Sequence, residues 1–449
     1  MAASSTTKRA INTQLQNVPK RPQRERLLAG MVASANRTGY GGANVSEVIA
    51  HAGVSRRTFY AYFADRDECY LATLTDVQQR LLGEVRRAVK AHAAEDAFAA
   101  AVEALVRFAI HEPKQAQFLA LDALTGTPEA LDARDHGITE IARIVADALA
   151  QAPAGKATPD LPLEIALGAI QRLLASRLRR GERTLGGMVE ELLAWSQSYS
   201  QPAHKHRWRA PAADGTVAPS PFVSPTPLHA PPPIPRGRPQ LSTEEIAENH
   251  RQRIMVATCQ VVYERGYHAS TIVEIAQRSG VGGRAFYSQF NSKQEPFSAV
   301  YELGYQHLMS TAADAFFAGT SWPERIWETM RATTQTLQRD PAIAQLGFVA
   351  ALAVGPWEVQ RVEDSRAAFT IFLQEGLRHD PTRPPPSRLA LDAIVASVFE
   401  LVYRAAREQN GQPEFAGLLG PVMHLCLTPF MGAGAANRFI DRKAGAREG

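Results

Sequence analysis

The chain has 449 residues, 45% of them hydrophobic and 21% charged, with a formal net charge of +4. That length predicts more than one domain and that composition predicts buried cores, which excludes a chain that is disordered or fibrous throughout. The charge permits a polyanionic partner without demanding one.

Cys69, Cys259 and Cys426 are far apart and form no paired spacing, so they read as reduced thiols rather than a disulfide framework. The opening "MAASSTTKRAINTQLQN" has no apolar core of the signal-peptide kind, and no apolar run is long enough to span a bilayer. The expected location is cytoplasmic. No glycine-rich phosphate loop, HExxH pair or nucleophile elbow is present, so no enzyme, cofactor or catalytic residue is expected. His204 and His206 in "HKHRWR" lack the further ligands a metal site needs.

In chain order, residues 1–20 read as a disordered basic arm. From 21 to 66 the pattern predicts three short helices. "RERLLAGMVASANRTGY" is amphipathic and ends at Gly39. "NVSEVIAHAG" places Asn44 three before Glu47, a capping-box spacing, and stops at Gly53. Ser55 can cap a third helix, with Val54 and Phe59 as its apolar staple. Phe59 and Phe63 are four apart and face the core, while Arg57 and Tyr60 lie on another face. Two helices joined at Gly53 predict a helix-turn-helix, whose second helix reads the major groove with its first residues. Arg56 and Arg57 sit there and suit guanine edges. Thr58, Tyr60 and Tyr62 offer hydroxyls to phosphates, and Arg66 opens the next helix beside them. Residues 67–200 read as further helices.

Residues 201–241 are proline-rich and predict an extended linker. Within it, "PRGRP" places Arg236 and Arg238 around a glycine, resembling an AT-hook core suited to a narrow minor groove.

The second half then repeats the first. An offset of 227 lays residues 39–68 on 266–295 and matches Gly39, Tyr40, Glu47, Gly53, Val54, Arg57, Phe59, Tyr60, Phe63 and Glu68 with identical residues. Segments 111–124 and 163–181 correspond to 339–352 and 388–411, so a whole unit is duplicated. The second helix-turn-helix spans 242–293, a second helical domain 294–432, and a tail 433–449. Thr271 and Glu274 repeat the capping box. Gly282 and Gly283 replace Ser55 and Arg56, and Gln289 replaces Tyr62. Gly283 carries no side chain to a base, whereas Gln289 can read adenine. Among the aromatics of the second half, Trp327, Phe348, Trp357 and Phe372 are candidates to line an apolar ligand pocket.

The run A-G-V-S-x-x-T-F-Y-x-Y-F, followed by a basic residue, resembles the TetR family of bacterial transcriptional regulators. The resemblance covers 24–75 and 251–302. It implies an all-α fold, DNA-facing roles for Arg284, Tyr287 and Lys293, a small-molecule effector in the helical domain, and dimerisation through the last two helices. Doubled in one chain, it implies a covalent pseudo-dimer with the pairs near 163–200 and 388–430 forming the interface internally. A homodimer of whole chains is the alternative assembly. The expected function is a ligand-responsive repressor on double-stranded DNA, with unequal heads and an imperfect or asymmetric operator. The effector is expected to be apolar or aromatic and to prefer the second half. Two other readings compete: a helical small-molecule binder with degenerate heads, and an architectural DNA binder without a fixed site.

Overall fold

The computed structural model describes residues 22–120, 122–153, 160–182, 184–200, 229–234, 241–408 and 414–445. The expected N-terminal arm, most of the linker, and Arg236 and Arg238 lie outside the described residues. Those described are helical, with no strand among them.

The first unit comprises α1 (Gln23–Gly42), α2 (Val45–Ala52), α3 (Arg56–Tyr62), α4 (Arg66–Ala91), α5 (Ala97–His111), α6 (Pro113–Ala120), α7 (Pro128–Leu149), α8 (Leu163–Arg179) and α9 (Met188–Gln197). A 3-10 turn, Asp122–Thr125, separates α6 from α7. The second unit comprises α10 (Thr243–Ala269), α11 (Ile272–Ser279), α12 (Gly283–Gln289), α13 (Gln294–Ala318), α14 (Trp322–Arg339), α15 (Pro341–Ala344), α16 (Pro356–Ala368), α17 (Ile371–Gln374), α18 (Arg388–Arg407), α19 (Leu419–Met431) and α20 (Ala433–Gly445). Between α15 and α16 a π-turn, Gln345–Val349, runs into a 3-10 turn, Ala350–Ala353.

Residues 433–445, expected as a tail, form α20 instead. Gly432 turns the chain with φ 79°, and Ala436, Phe439 and Ile440 then bury against the helical core at three- and four-residue spacing.

The two units pack on each other through their last helices. α8 and α9 lie against α18, and α9 is followed by Tyr199, whose buried hydroxyl donates to the Leu425 carbonyl at 2.8 Å. The His424 ring donates from Nε2 to the Asp160 carbonyl at 3.0 Å.

Between them sits a buried ion cluster. Arg134 on α7 donates to both oxygens of Glu400 on α18, at 2.9 and 3.2 Å, and Arg172 on α8 donates to Oε2 at 2.9 Å. Glu400 and Arg172 are fully enclosed. Burial alone would raise the Glu400 carboxyl, but the two arginines outweigh it and hold it at about 2. The arginines also stack on the neighbouring rings, Arg172 over Phe399 at 4.6 Å and Arg134 over Tyr403 at 5.3 Å.

Candidate nucleic-acid interface

Each head is built by short-range chemistry. In the first, Asn44 caps α2 by accepting from the Glu47 amide at 3.0 Å. Glu47 does not close the box; its carboxylate instead takes Ser34 and Arg37 on α1. In the second head the box closes, with Thr271 and Glu274 capping each other. Both turns rest on a glycine in the left-handed region, Gly53 at φ 59° and Gly280 at φ 65°, where a side chain would be strained. An arginine of the preceding helix pins each turn: Arg26 donates to the Ala52 and Gly53 carbonyls, and Arg253 to that of Ser279.

Ser55 caps α3 by accepting from the Thr58 amide at 3.1 Å, and its hydroxyl pairs with that of Thr58. Phe59 and Phe63 bury one face of α3. The opposite face leaves Arg56, Arg57, Tyr60 and Tyr62 exposed, Tyr60 by 52%. Arg56 reaches Ser46 on α2 at 3.1 Å, which orients it across the turn. In the second head Arg284 and Tyr287 are exposed likewise, while Gln289 is half-buried beside Ser288. Gly282 caps α12 without a side chain, and a Cβ on Gly283 would meet no atom within 4 Å.

That open space gives a prediction. Gly283→Arg restores the side chain the first head carries at Arg56 and removes a helix-weakening glycine worth up to ~1 kcal/mol. It is expected to raise operator affinity by roughly tenfold, the low end of one guanine contact. Titration of the selected operator checks it, and unchanged affinity and preference contradict it.

Two residues expected at phosphates are occupied inside the heads. Arg66 stacks over Tyr40 at 4.2 Å and donates to the Tyr40 and Ala43 carbonyls, each at 3.3 Å. Lys293 lies over Tyr267 at 4.4 Å and donates to the carbonyls of Tyr267, His268 and Ser270. Both α1 and α10 are broken just before, at Gly39 and Gly266. The breaks free carbonyls that these cations take up, so the two side chains are posts of the fold.

The heads meet each other at these same corners. The Tyr40 and His268 rings lie 5.0 Å apart. His268 donates from Nε2 to the Thr125 carbonyl at 2.7 Å, while the Tyr40 amide donates to the Thr125 hydroxyl at 3.0 Å. Asn36 donates to the Asp122 carboxylate at 2.5 Å and the buried Tyr70 hydroxyl to the Asp122 carbonyl at 2.6 Å. One turn of the first helical domain therefore holds both heads. No short motif marks this junction, and sequence reasoning missed it.

Burial raises the enclosed Asp122 carboxyl to about 7, with Asn36 pulling it down. The unfolded chain releases that proton near pH 4. Because the fold retains the proton up to about 7, stability falls as pH rises between those values. Asp122→Asn keeps an acceptor for Asn36 and is expected to flatten that slope. Denaturant unfolding at pH 5 and pH 8 checks it; an equal slope in both proteins contradicts it.

Behind the second head lies a cavity of about 750 Å³, walled by Leu303, Leu308, Leu337, Phe348, Phe369 and Phe399. Of the four aromatics expected there, Phe348 lines it. Trp327 and Phe372 are buried in the core that packs around α20 and α17, and Trp357 is 68% exposed. Aromatic spacing reports a helix face but not what that face meets.

The π-turn supplies Leu346, Gly347 and Phe348 to the cavity wall, and the 3-10 turn that follows it touches Asp122–Thr125. A continuous path thus runs from the cavity to the turn that holds both heads. Cys259 and Cys426 also line the cavity, and burial pushes the Cys69 and Cys426 thiols up to about 12 and Cys259 up to about 11, which disfavours the thiolate.

Comparison with known proteins matches the heads. The profile described as Bacterial regulatory proteins, tetR family, matches residues 27–73 and 254–300. The HTH-type transcriptional activator FasR of Mycolicibacterium smegmatis is 25% identical over 157 residues, covering 35% of this chain. The match spans 60% of that relative's length. Among solved structures, the fatty acid degradation regulator FadR of Bacillus halodurans superposes with a TM-score of 0.35 at 19% identity, over 39% of this chain and 94% of its own. FadR of Bacillus subtilis, solved in complex with stearoyl-CoA, gives 0.33 at 16% identity, over 39% and 96%.

Proposed function

Because both heads are domains of the tetR family of bacterial regulatory proteins, we propose that this chain is a sequence-specific DNA-binding regulator in which one polypeptide supplies both heads of a pseudo-dimer. The observation that carries the reading is the pair of recognition helices, α3 and α12, each buried by its phenylalanines and exposed on the face bearing Arg57 and Arg284. The set offered to DNA is Asn44, Ser55, Arg56, Arg57, Thr58, Tyr60 and Tyr62 in the first head. In the second it is Thr271, Gly283, Arg284, Tyr287 and Gln289. Gly283 leaves the second head with one arginine fewer, so the operator is asymmetric and its stronger half-site belongs to the first head.

The regulator is a repressor whose apolar effector occupies the cavity of the second half, one site per chain. The path through the π-turn and Asp122–Thr125 carries its signal to both heads. In-vitro selection of bound DNA, followed by footprinting, tests the DNA reading. Two unequal half-sites covered by one chain are expected; a perfect palindrome, or salt-dependent binding without preference, contradicts it.

The effector site has its own test. Gly347 lines the cavity, and a Cβ on it would enter open space. Gly347→Phe is expected to weaken uptake of an apolar fluorescent dye at least ~10-fold, about 1.4 kcal/mol. Equal dye affinity in both proteins contradicts the placement.

A further inference from the structure

We propose that the surfaces joining the two halves are written to recognise each other and to reject their own kind: the partner each half fits is the other half, never a second copy of itself. This rests on the single-chain part of the reading above and on the half–half contact, not on DNA binding.

The helices at the contact align without a gap when Ala166-Leu167-Gly168-Ala169-Ile170 is laid on Ala390-Leu391-Asp392-Ala393-Ile394. In that register Arg172 falls on Ala396, Ser176 on Glu400, and Gly168 on Asp392. Laying Thr127-Pro128 on Gly355-Pro356 puts Arg134 on Val362. The second half is therefore neutral at both positions where the first carries the arginines that grip Glu400, and the first half has only a hydroxyl where the second carries that carboxylate.

Gly168 adds a steric condition. A Cβ there would lie 2.7 Å from Glu400 Cδ and Oε1, so the carboxylate that Arg134 and Arg172 hold would have to shift. Pairing two second halves in the same way would drive Asp392 into that space. A longer side chain would stand where a methyl does not fit, and it would set carboxylate against carboxylate. The opposing half would bring Val362 and Ala396, so Glu400 would keep only Arg404 of its own helix, 3.4 Å away.

Pairing two first halves fails differently. Arg134 and Arg172 would enter the contact from both sides and find Ser176 in place of Glu400, so Arg134 would keep only Asp135 of its own helix, 2.9 Å away. Buried charges without partners and like charges facing each other both disfavour the homotypic pairs. Only the cross pair supplies acid, base and room together. For a chain bearing both halves, the code prevents stringing through like surfaces, and the tether favours closure on itself.

The test uses the full chain with a specific protease site inserted after residue 210. The folded protein is cut, the halves are unfolded in urea and refolded together, and native mass spectrometry counts the pairs. Indifferent surfaces would give about half of all pairs homotypic by random assortment, whereas selective ones leave a small residue. A homotypic share near the random value overturns the proposal. Glu400→Gln, cut the same way, is expected to raise that share severalfold; an unchanged share overturns the charge code. Gly168→Asp in the uncut chain needs no refolding and places the second half's own residue at the contact. It is expected to lower the thermal midpoint by several degrees and to open the linker-joined halves to proteolysis; wild-type behaviour overturns the steric argument. None of these readouts involves DNA, so a failed operator leaves them standing.

Discussion

Replacing Arg56 and Arg57 together by alanine is expected to reduce affinity for the selected operator by roughly thirty- to twenty-five-thousand-fold, the sum of two base contacts worth about 1–3 kcal/mol each. The fold should not change. Both side chains are exposed, Ser55 still caps α3, and alanine is a better helix former than arginine. Within the protein, the exchange removes the hydrogen bond from Arg56 to the Ser46 hydroxyl, which is itself exposed to solvent.

Affinity for unrelated duplex should fall far less, because the phosphate contacts proposed for Thr58, Tyr60 and Tyr62 would remain, and such contacts position without reading sequence. Tyr60→Phe supplies the contrast: a modest loss on every duplex, with preference unchanged. Titrations of operator and scrambled DNA at two salt concentrations separate the cases. If the double variant keeps its preference, the first head does not read bases through these arginines.

The heads were legible because what makes them is local. Caps, turn glycine and stacked phenylalanines all fall within one short stretch, and the duplication displays the pattern twice. The same locality explains what was missed. That Arg66 and Lys293 hold the breaks in α1 and α10 could not be read, since the carbonyls they take up lie more than twenty residues earlier. His268 and Thr125 are 143 positions apart, and nothing in either neighbourhood announces their bond.

The buried cluster did leave a mark. Arg172 interrupts "IALGAIQRLLAS" and Glu400 interrupts "AIVASVFELVY", each a lone charge deep in an apolar helical run. Charged residues in such places are almost never fully buried unless paired. Which charge met which, across 228 positions, required the fold.

That cluster supplies the second large effect. Glu400→Ala is expected to destabilise the chain by about 3–5 kcal/mol, because Arg172 would remain enclosed without the carboxylate it donates to, and Arg134 would keep only Asp135, 2.9 Å away. Arg172 Nε and Nη1 and Arg134 Nε already lack acceptors. Arg172 therefore depends on Glu400 and the rings beneath it, and Arg134 on Glu400 together with Asp135.

The triple replacement Arg134→Met, Arg172→Leu and Glu400→Leu should behave oppositely. With the three enclosed charges gone, and Asp135 and Arg404 still paired with Arg407 and Glu164, its stability should equal the wild type or exceed it by about 1–4 kcal/mol. Equilibrium unfolding in urea, read at neutral pH, distinguishes the two outcomes. Acid adds a second signature. The fold holds Glu400 at about 2, below its ordinary value, so its stabilising contribution is present above pH 4 and is lost as pH falls through about 2. The triple variant should lose that part of its acid sensitivity.

A triple variant as fragile as Glu400→Ala would mean that the ions hold the halves together by themselves. A stable triple variant whose cut halves now pair at random would assign the charges to choosing the partner, and the apolar faces of α8 and α18 to keeping it.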